Sequence, residues 1–133
     1  MDGERQASRV DDRGIRPPRA YSVVRAAAPE GVVVLQLAGE LDMAAAPALR
    51  GQIDAARAEG RAPVVLDLTA VTFIDSSALR ELLEGDERLR ADGAQLLLAG
   101  IRPVVARVLE LTRASDVLTV VPTVQQALER VAR

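Results

Sequence analysis

Short apolar runs alternate with amphipathic stretches along most of this chain, and that alternation restricts the fold more than any other feature. Residues 64–68, Val-Val-Leu-Asp-Leu, are apolar at every position but Asp67. Such a run suits a strand covered on both faces of a sheet. A short link leads to Asp75-Ser76-Ser77, and a stretch with Leu79, Leu82, Leu83 and Leu89 at helical spacing follows, over residues 76–91. Ser or Asp directly before such a stretch marks a helix start.

The same alternation extends in both directions. Residues 21–27 have weak strand character, Pro29-Glu30-Gly31 is a turn signal, and residues 32–37 form a β-branched run, so the two segments predict a hairpin. Gly39-Glu40-Leu41-Asp42 closes the second strand. A helix is expected over residues 43–59, with Ala45, Leu49, Ile53 and Ala56 on its apolar side and Gly60 as its stop. Residues 94–99 read as another buried strand. Pro103 then opens a third helix with Val104, Val105, Val108 and Leu109 as its stripe. Residues 117–121 read as the last strand, and Pro122-Thr123 opens a final helix carrying Val124, Leu128 and Val131. The order β-β-α-β-α-β-α-β-α predicts an α/β fold: a mixed, mostly parallel sheet of about five strands with about four helices and right-handed crossovers. Residues 1–19 hold five Arg against four acidic residues and end in Arg16-Pro17-Pro18-Arg19, which reads as a disordered tail before a single domain over residues 20–133.

Composition narrows the function. The 133 residues include no Cys and no His, and all seventeen basic residues are Arg. Disulfides, imidazole catalysis, thiol chemistry, a phosphate-loop lysine and a Schiff-base lysine are therefore ruled out, as are the usual transition-metal ligands. A net charge of −2 with one Tyr, one Phe and no Trp supplies neither a basic face nor stacking platforms, so nucleic acid is not expected as a direct partner. No apolar run approaches the roughly 20 residues that span a bilayer, and residues 1–19 lack the apolar core of a signal peptide, so a cytoplasmic location is expected.

Two acidic loops stand out, Gly39-Glu40-Leu41-Asp42 and Asp75-Ser76-Ser77. Each follows a strand and precedes a helix, and in a parallel sheet such loops gather at the carboxyl ends of the strands. Taken singly they read as structure: Asp42 as the cap of the first helix, Asp75 or Ser76 as the cap of the second at about 1 kcal/mol, Ser77 as a second cap or a core-facing hydroxyl. As an enzyme the chain is poorly equipped. A nucleophilic serine has no base here, and paired carboxylates such as Asp42 and Asp75 lack a glycine-rich phosphate cradle beside them. No catalytic residue, cofactor or metal is expected. Free N–H groups and the positive end of the helix dipole favour an anion before Ser76, so a phosphate on that serine is tolerated there.

Gly39-Glu40-Leu41-Asp42, the run Val-Val-Leu-Asp-Leu, Phe73-Ile74-Asp75-Ser76-Ser77 and Leu79 together resemble the STAS domains, and among them the stand-alone bacterial anti-sigma factor antagonists. The resemblance extends over residues 21–131. It implies a partner switch in which an anti-sigma factor with serine kinase activity phosphorylates Ser76 and a PP2C-type phosphatase reverses it. The unmodified form binds the anti-sigma factor and frees a sigma factor. The contact surface so implied comprises Glu40, Leu41, Asp42, Asp75, Ser77, Ala78, Leu79 and Arg80. The chain departs from the family where Ala78-Leu79-Arg80 replaces a common Gly-Leu-Gly. Arg80 stands one turn beyond Ser76, within reach of a phosphate there or of Asp75. Two further readings use the same fold: a STAS module acting as a signalling scaffold, or as an accessory subunit of a membrane lipid transport complex.

Overall fold

The computed structural model describes residues 20–132; the expected tail at 1–19 lies outside the described residues. Strands β1 (Tyr21–Ala26) and β2 (Val33–Leu41) form the hairpin. Helix α1 (Ala46–Ala58), β3 (Val64–Ile74), α2 (Ser76–Ala91), β4 (Leu96–Ala99), α3 (Pro103–Leu111), β5 (Thr119–Val121) and α4 (Val124–Val131) follow. The five strands lie in sequence order, β1 antiparallel to β2 and the rest parallel. The expected α/β order is therefore the observed one.

Because each crossover steps the sheet in the same direction, right-handed connections place α1, α2 and α3 on one face. Alternate strand residues serve that face. Leu35, Leu66 and Leu98 lie side by side on β2, β3 and β4, all fully buried against Leu49, Ile53, Leu82 and Leu109 of the helices. Each such side chain contributes about 1.5–3 kcal/mol through burial. The intervening row Val34, Val65 and Leu97 faces the other way and is covered by α4 through Ala127, Leu128 and Val131.

Several bounds differ from the sequence expectation. The link expected after Leu68 is strand: β3 continues to Ile74, paired with β2 through Ala38–Ala70, Gly39–Val71, Glu40–Phe73 and Leu41–Ile74. Thr69 and Thr72 hide this strand from an apolar count because both are exposed. Helix α1 begins at Ala46 and not at residue 43, since Asp42 first folds a turn. A 3₁₀ turn, Ala114–Asp116, occupies the approach to β5 and shortens that strand. Val104, expected on the buried stripe of α3, is 52% exposed, while Val105 and Leu109 carry the packing.

The two helices that follow the acidic loops are clasped at their far ends. Arg57 in the last turn of α1 reaches Asp92, which caps α2, with Nε–Oδ2 2.8 Å. Arg88 of α2 lies 3.4 Å from Asp54 of α1. On the edge strand, Arg25 grips Glu59 just beyond α1 with its two terminal nitrogens. Hydrogen bonds from Arg57 hold the Asp92 carboxyl below its ordinary value, and those from Arg25 do the same for Glu59. Both carboxylates are depressed in the folded state, so their contribution is present above the ordinary carboxylate value of about 4 and disappears as pH falls through the folded values. We expect the loss of urea resistance between neutral pH and about pH 3 to be smaller in an Arg25→Ala/Arg57→Ala double variant than in the parent. An equal loss in both proteins would show that these clasps do not carry the acid sensitivity.

Candidate functional site

The carboxyl ends of β2 and β3 run side by side past the end of β4, which pairs with β3 only as far as Asp67–Ala99. Beyond that point Arg102 takes over from β4, donating from Nε to the Thr69 carbonyl at 2.8 Å. The projecting ribbon therefore carries both acidic loops at its tip. Asp75 N–H donates to the Leu41 carbonyl at 3.0 Å, which brings the two loops into direct contact as expected. Gly39 makes this possible from beneath. Its φ is +82°, and a Cβ there would lie 2.2 Å from the Ala20 carbonyl oxygen. Any other residue would push β1 off the ribbon or strain the backbone.

Asp75 caps α2, and Ser76 is the first helical residue. The Asp75 backbone is extended, and one carboxylate oxygen accepts from Ser77 N–H at 2.9 Å and Ala78 N–H at 3.1 Å. Its carbonyl accepts the first helical bond, from Leu79 N–H at 2.9 Å. This corrects the expectation that the helix start offers free donors to a phosphate. Two of those N–H groups already serve an internal carboxylate. Asp42 plays a parallel part in the other loop: its carboxylate accepts from Ala44 N–H at 3.0 Å, and its carbonyl accepts from Ala45 and Ala46. It shapes the turn ahead of α1, not the cap position itself, which is Ala45.

The eight residues of the expected contact surface divide by burial. Leu41 and Ala78 are fully buried and Leu79 is 7% exposed, so these three shape the surface from below. Glu40, Asp42, Asp75 and Ser77 are half-buried. Arg80 is exposed, as is the neighbouring Ser76. Two apolar side chains join them that the sequence pattern does not single out. Met43 is 73% exposed in the turn after Asp42, and Phe73 is 38% exposed at the end of β3, opposite Glu40. Phe73 belongs to the motif, but its exposure depends on β3 outrunning β4, which no local pattern reveals. The result is an acidic surface with apolar points. It contains no group of three or more Asp or Glu that could hold a metal ion among the described residues. A groove of about 560 Å³ lies at the opposite end of the sheet, by Pro29, Val32, Pro63, Gln95, Leu128 and Val131.

The capping geometry separates the two neighbours Asp75 and Ser76 energetically. Asp75→Ala should lower stability by about 1–2 kcal/mol in urea melts, whereas Ser76→Ala should change it by less than about 0.5 kcal/mol. Equal losses would contradict the assignment of the cap to Asp75.

Comparison with known proteins agrees with this geometry. The STAS domain family model matches residues 24–127. The RsbT co-antagonist protein RsbRA of Bacillus subtilis is 30% identical over 110 residues, which is 78% of this chain and 40% of that protein. The chain thus spans under half the length of the first curated relatives it matches. Among solved structures, an anti-sigma factor antagonist from Mycobacterium paratuberculosis superposes with a TM-score of 0.75 at 30% identity, covering 84% of this chain and 94% of that one. The anti-sigma factor antagonist SpoIIAA in its unphosphorylated form gives a TM-score of 0.70 at 25% identity, covering 83% of this chain and 96% of that one. Matched over most of its length in both sequence and fold, the chain belongs to the STAS-domain family.

Proposed function

We propose that this protein is an anti-sigma factor antagonist of the partner-switching kind, acting in the cytoplasm without catalysis of its own. An anti-sigma factor with serine kinase activity docks on the surface formed by Glu40, Asp42, Met43, Phe73, Asp75, Ser77 and Arg80. Docking displaces a sigma factor. The same partner then transfers the γ-phosphoryl group of ATP to the Ser76 hydroxyl, the complex separates, and a PP2C-type phosphatase restores the unmodified form. The names of similar proteins support the partner class.

The observation that carries the reading is the placement of Ser76. It is exposed, it heads α2, and it stands beside a cap that does not depend on its hydroxyl. A phosphate adds a charge of about −1.5 to −2 at neutral pH. Next to Asp75 and Asp42, that charge changes the surface potential without removing any bond that holds the loops. Ser77 is a poorer acceptor. It is half-buried and its N–H is tied to Asp75. Burying an unpaired charge at a docked surface costs about 2–5 kcal/mol, which is roughly 30-fold or more in affinity.

The test is affinity capture from host lysate with the unmodified protein and with protein carrying phosphoserine at residue 76, read by mass spectrometry. We expect a GHKL-type serine kinase to be enriched on the unmodified form and depleted ~30-fold on the phosphorylated form. The purified kinase with ATP should then modify the parent and not Ser76→Ala. Equal capture by both forms, or recovery of scaffold or membrane transport proteins alone, would overturn the reading.

A further inference from the structure

Arg80 stands one turn beyond Ser76 on α2, and the structure narrows what it can do. It is exposed on α2 and has no ion-pair partner among the described residues. Its neighbours are otherwise engaged. Asp75 spends one carboxylate oxygen on Ser77 and Ala78. Glu84, one turn further along, is 3.8 Å from Arg88. Arg88 also lies 3.8 Å from Glu81. Of the two pairings open to Arg80 from sequence, Asp75 or a phosphate on Ser76, the first is not made.

Residues four apart on a helix are surface neighbours, with Cβ atoms about 5–6 Å apart. Ser76 and Arg80 have that spacing and are both exposed. A guanidinium offers a planar fork that matches phosphate oxygens bidentately. Two other donors near Ser76, the N–H groups of Ser77 and Ala78, already point at Asp75. The charged groups facing Ser76 from the adjoining loops and from its own helix start are carboxylates, Asp42 and Asp75. Among the described residues, a phosphate there meets negative charge on the loop side and the Arg80 cation one turn along the helix.

We infer that Arg80 is the internal partner of phosphorylated Ser76, pairing with the phosphate across one turn of α2 and holding it on the outer side of that helix. The inference rests on the reading of Ser76 as the phosphorylated residue. It adds that this chain stabilises its own phosphorylated form, where a glycine at position 80 could not.

The test uses full-length protein with phosphoserine incorporated at residue 76 during translation, so that it does not depend on any kinase. Phosphorus NMR then follows the second ionisation of the phosphate with pH in the parent, in Arg80→Lys and in Arg80→Ala. A paired dianion ionises at lower pH. We expect the midpoint in Arg80→Ala to lie about half a pH unit above the parent, with Arg80→Lys between them. Identical midpoints in all three residue-76 proteins would overturn the inference. A shift seen here when lysate capture finds no kinase would leave the pairing intact and remove the switch.

Discussion

The pairing of β2 with β3 beyond the end of β4 is the constraint on which the site depends. Within the sheet proper, β3 is buried on both faces and needs nothing but apolar side chains. Past Asp67 it pairs with a strand on one side only among the described residues, and its exposed backbone must find other partners. Arg102 meets one carbonyl, and β2 meets the rest of the ladder through to Leu41 and Ile74. That pairing aligns the two acidic loops so that Asp75 N–H can reach the Leu41 carbonyl. Remove the ribbon and the loops become two unrelated helix starts. Gly39 is where the ribbon is most exacting, because the Ala20 carbonyl fills the space a side chain would need.

Much of this architecture is legible in the sequence, and what is not has a physical cause. Short apolar runs separated by helical periodicity announce the element order, and the parallel arrangement follows from crossover geometry. The length of β3 is not legible, because Thr69, Thr72 and Phe73 face solvent and break the apolar pattern that marks Val64–Leu68. The side of the sheet taken by α4 is set by the last connection and by the small row Val34, Val65 and Leu97, which local propensity does not distinguish from the larger core. At the site, the nearness of the two loops is readable from topology. The division of labour between Asp75 and Ser76 is not, since either residue type makes a good cap. Burial of Leu41 and Ala78 is likewise a property of the packed ribbon and helix, and the motif letters do not disclose it.

The division of labour matters for how a switch can work here. If Ser76 itself capped α2, modifying its hydroxyl would disturb the helix and mix a folding penalty into the signal. With Asp75 holding the cap, the serine is free to carry charge while the backbone stays as it is. The price is that two favourable donors of the helix start, the N–H groups of Ser77 and Ala78, are no longer available to a phosphate. Arg80 stands where it can make good that loss. Glycine at that position would let a partner approach the helix backbone; arginine gives up that closeness for a cation one turn beyond Ser76. A partner for this chain must therefore accommodate a bulky side chain one turn into α2.

The central claim is that phosphate on Ser76 alters the surface and leaves the fold alone. Amide chemical shifts of the protein with and without phosphoserine at residue 76 test it most directly. The account predicts changes confined to residues 39–44 and 73–83, with the remaining amides of the sheet and of α4 unmoved. Shifts spread through β4, β5 and α4, or a loss of dispersion, would show that phosphorylation acts by rearranging the domain, and would contradict it.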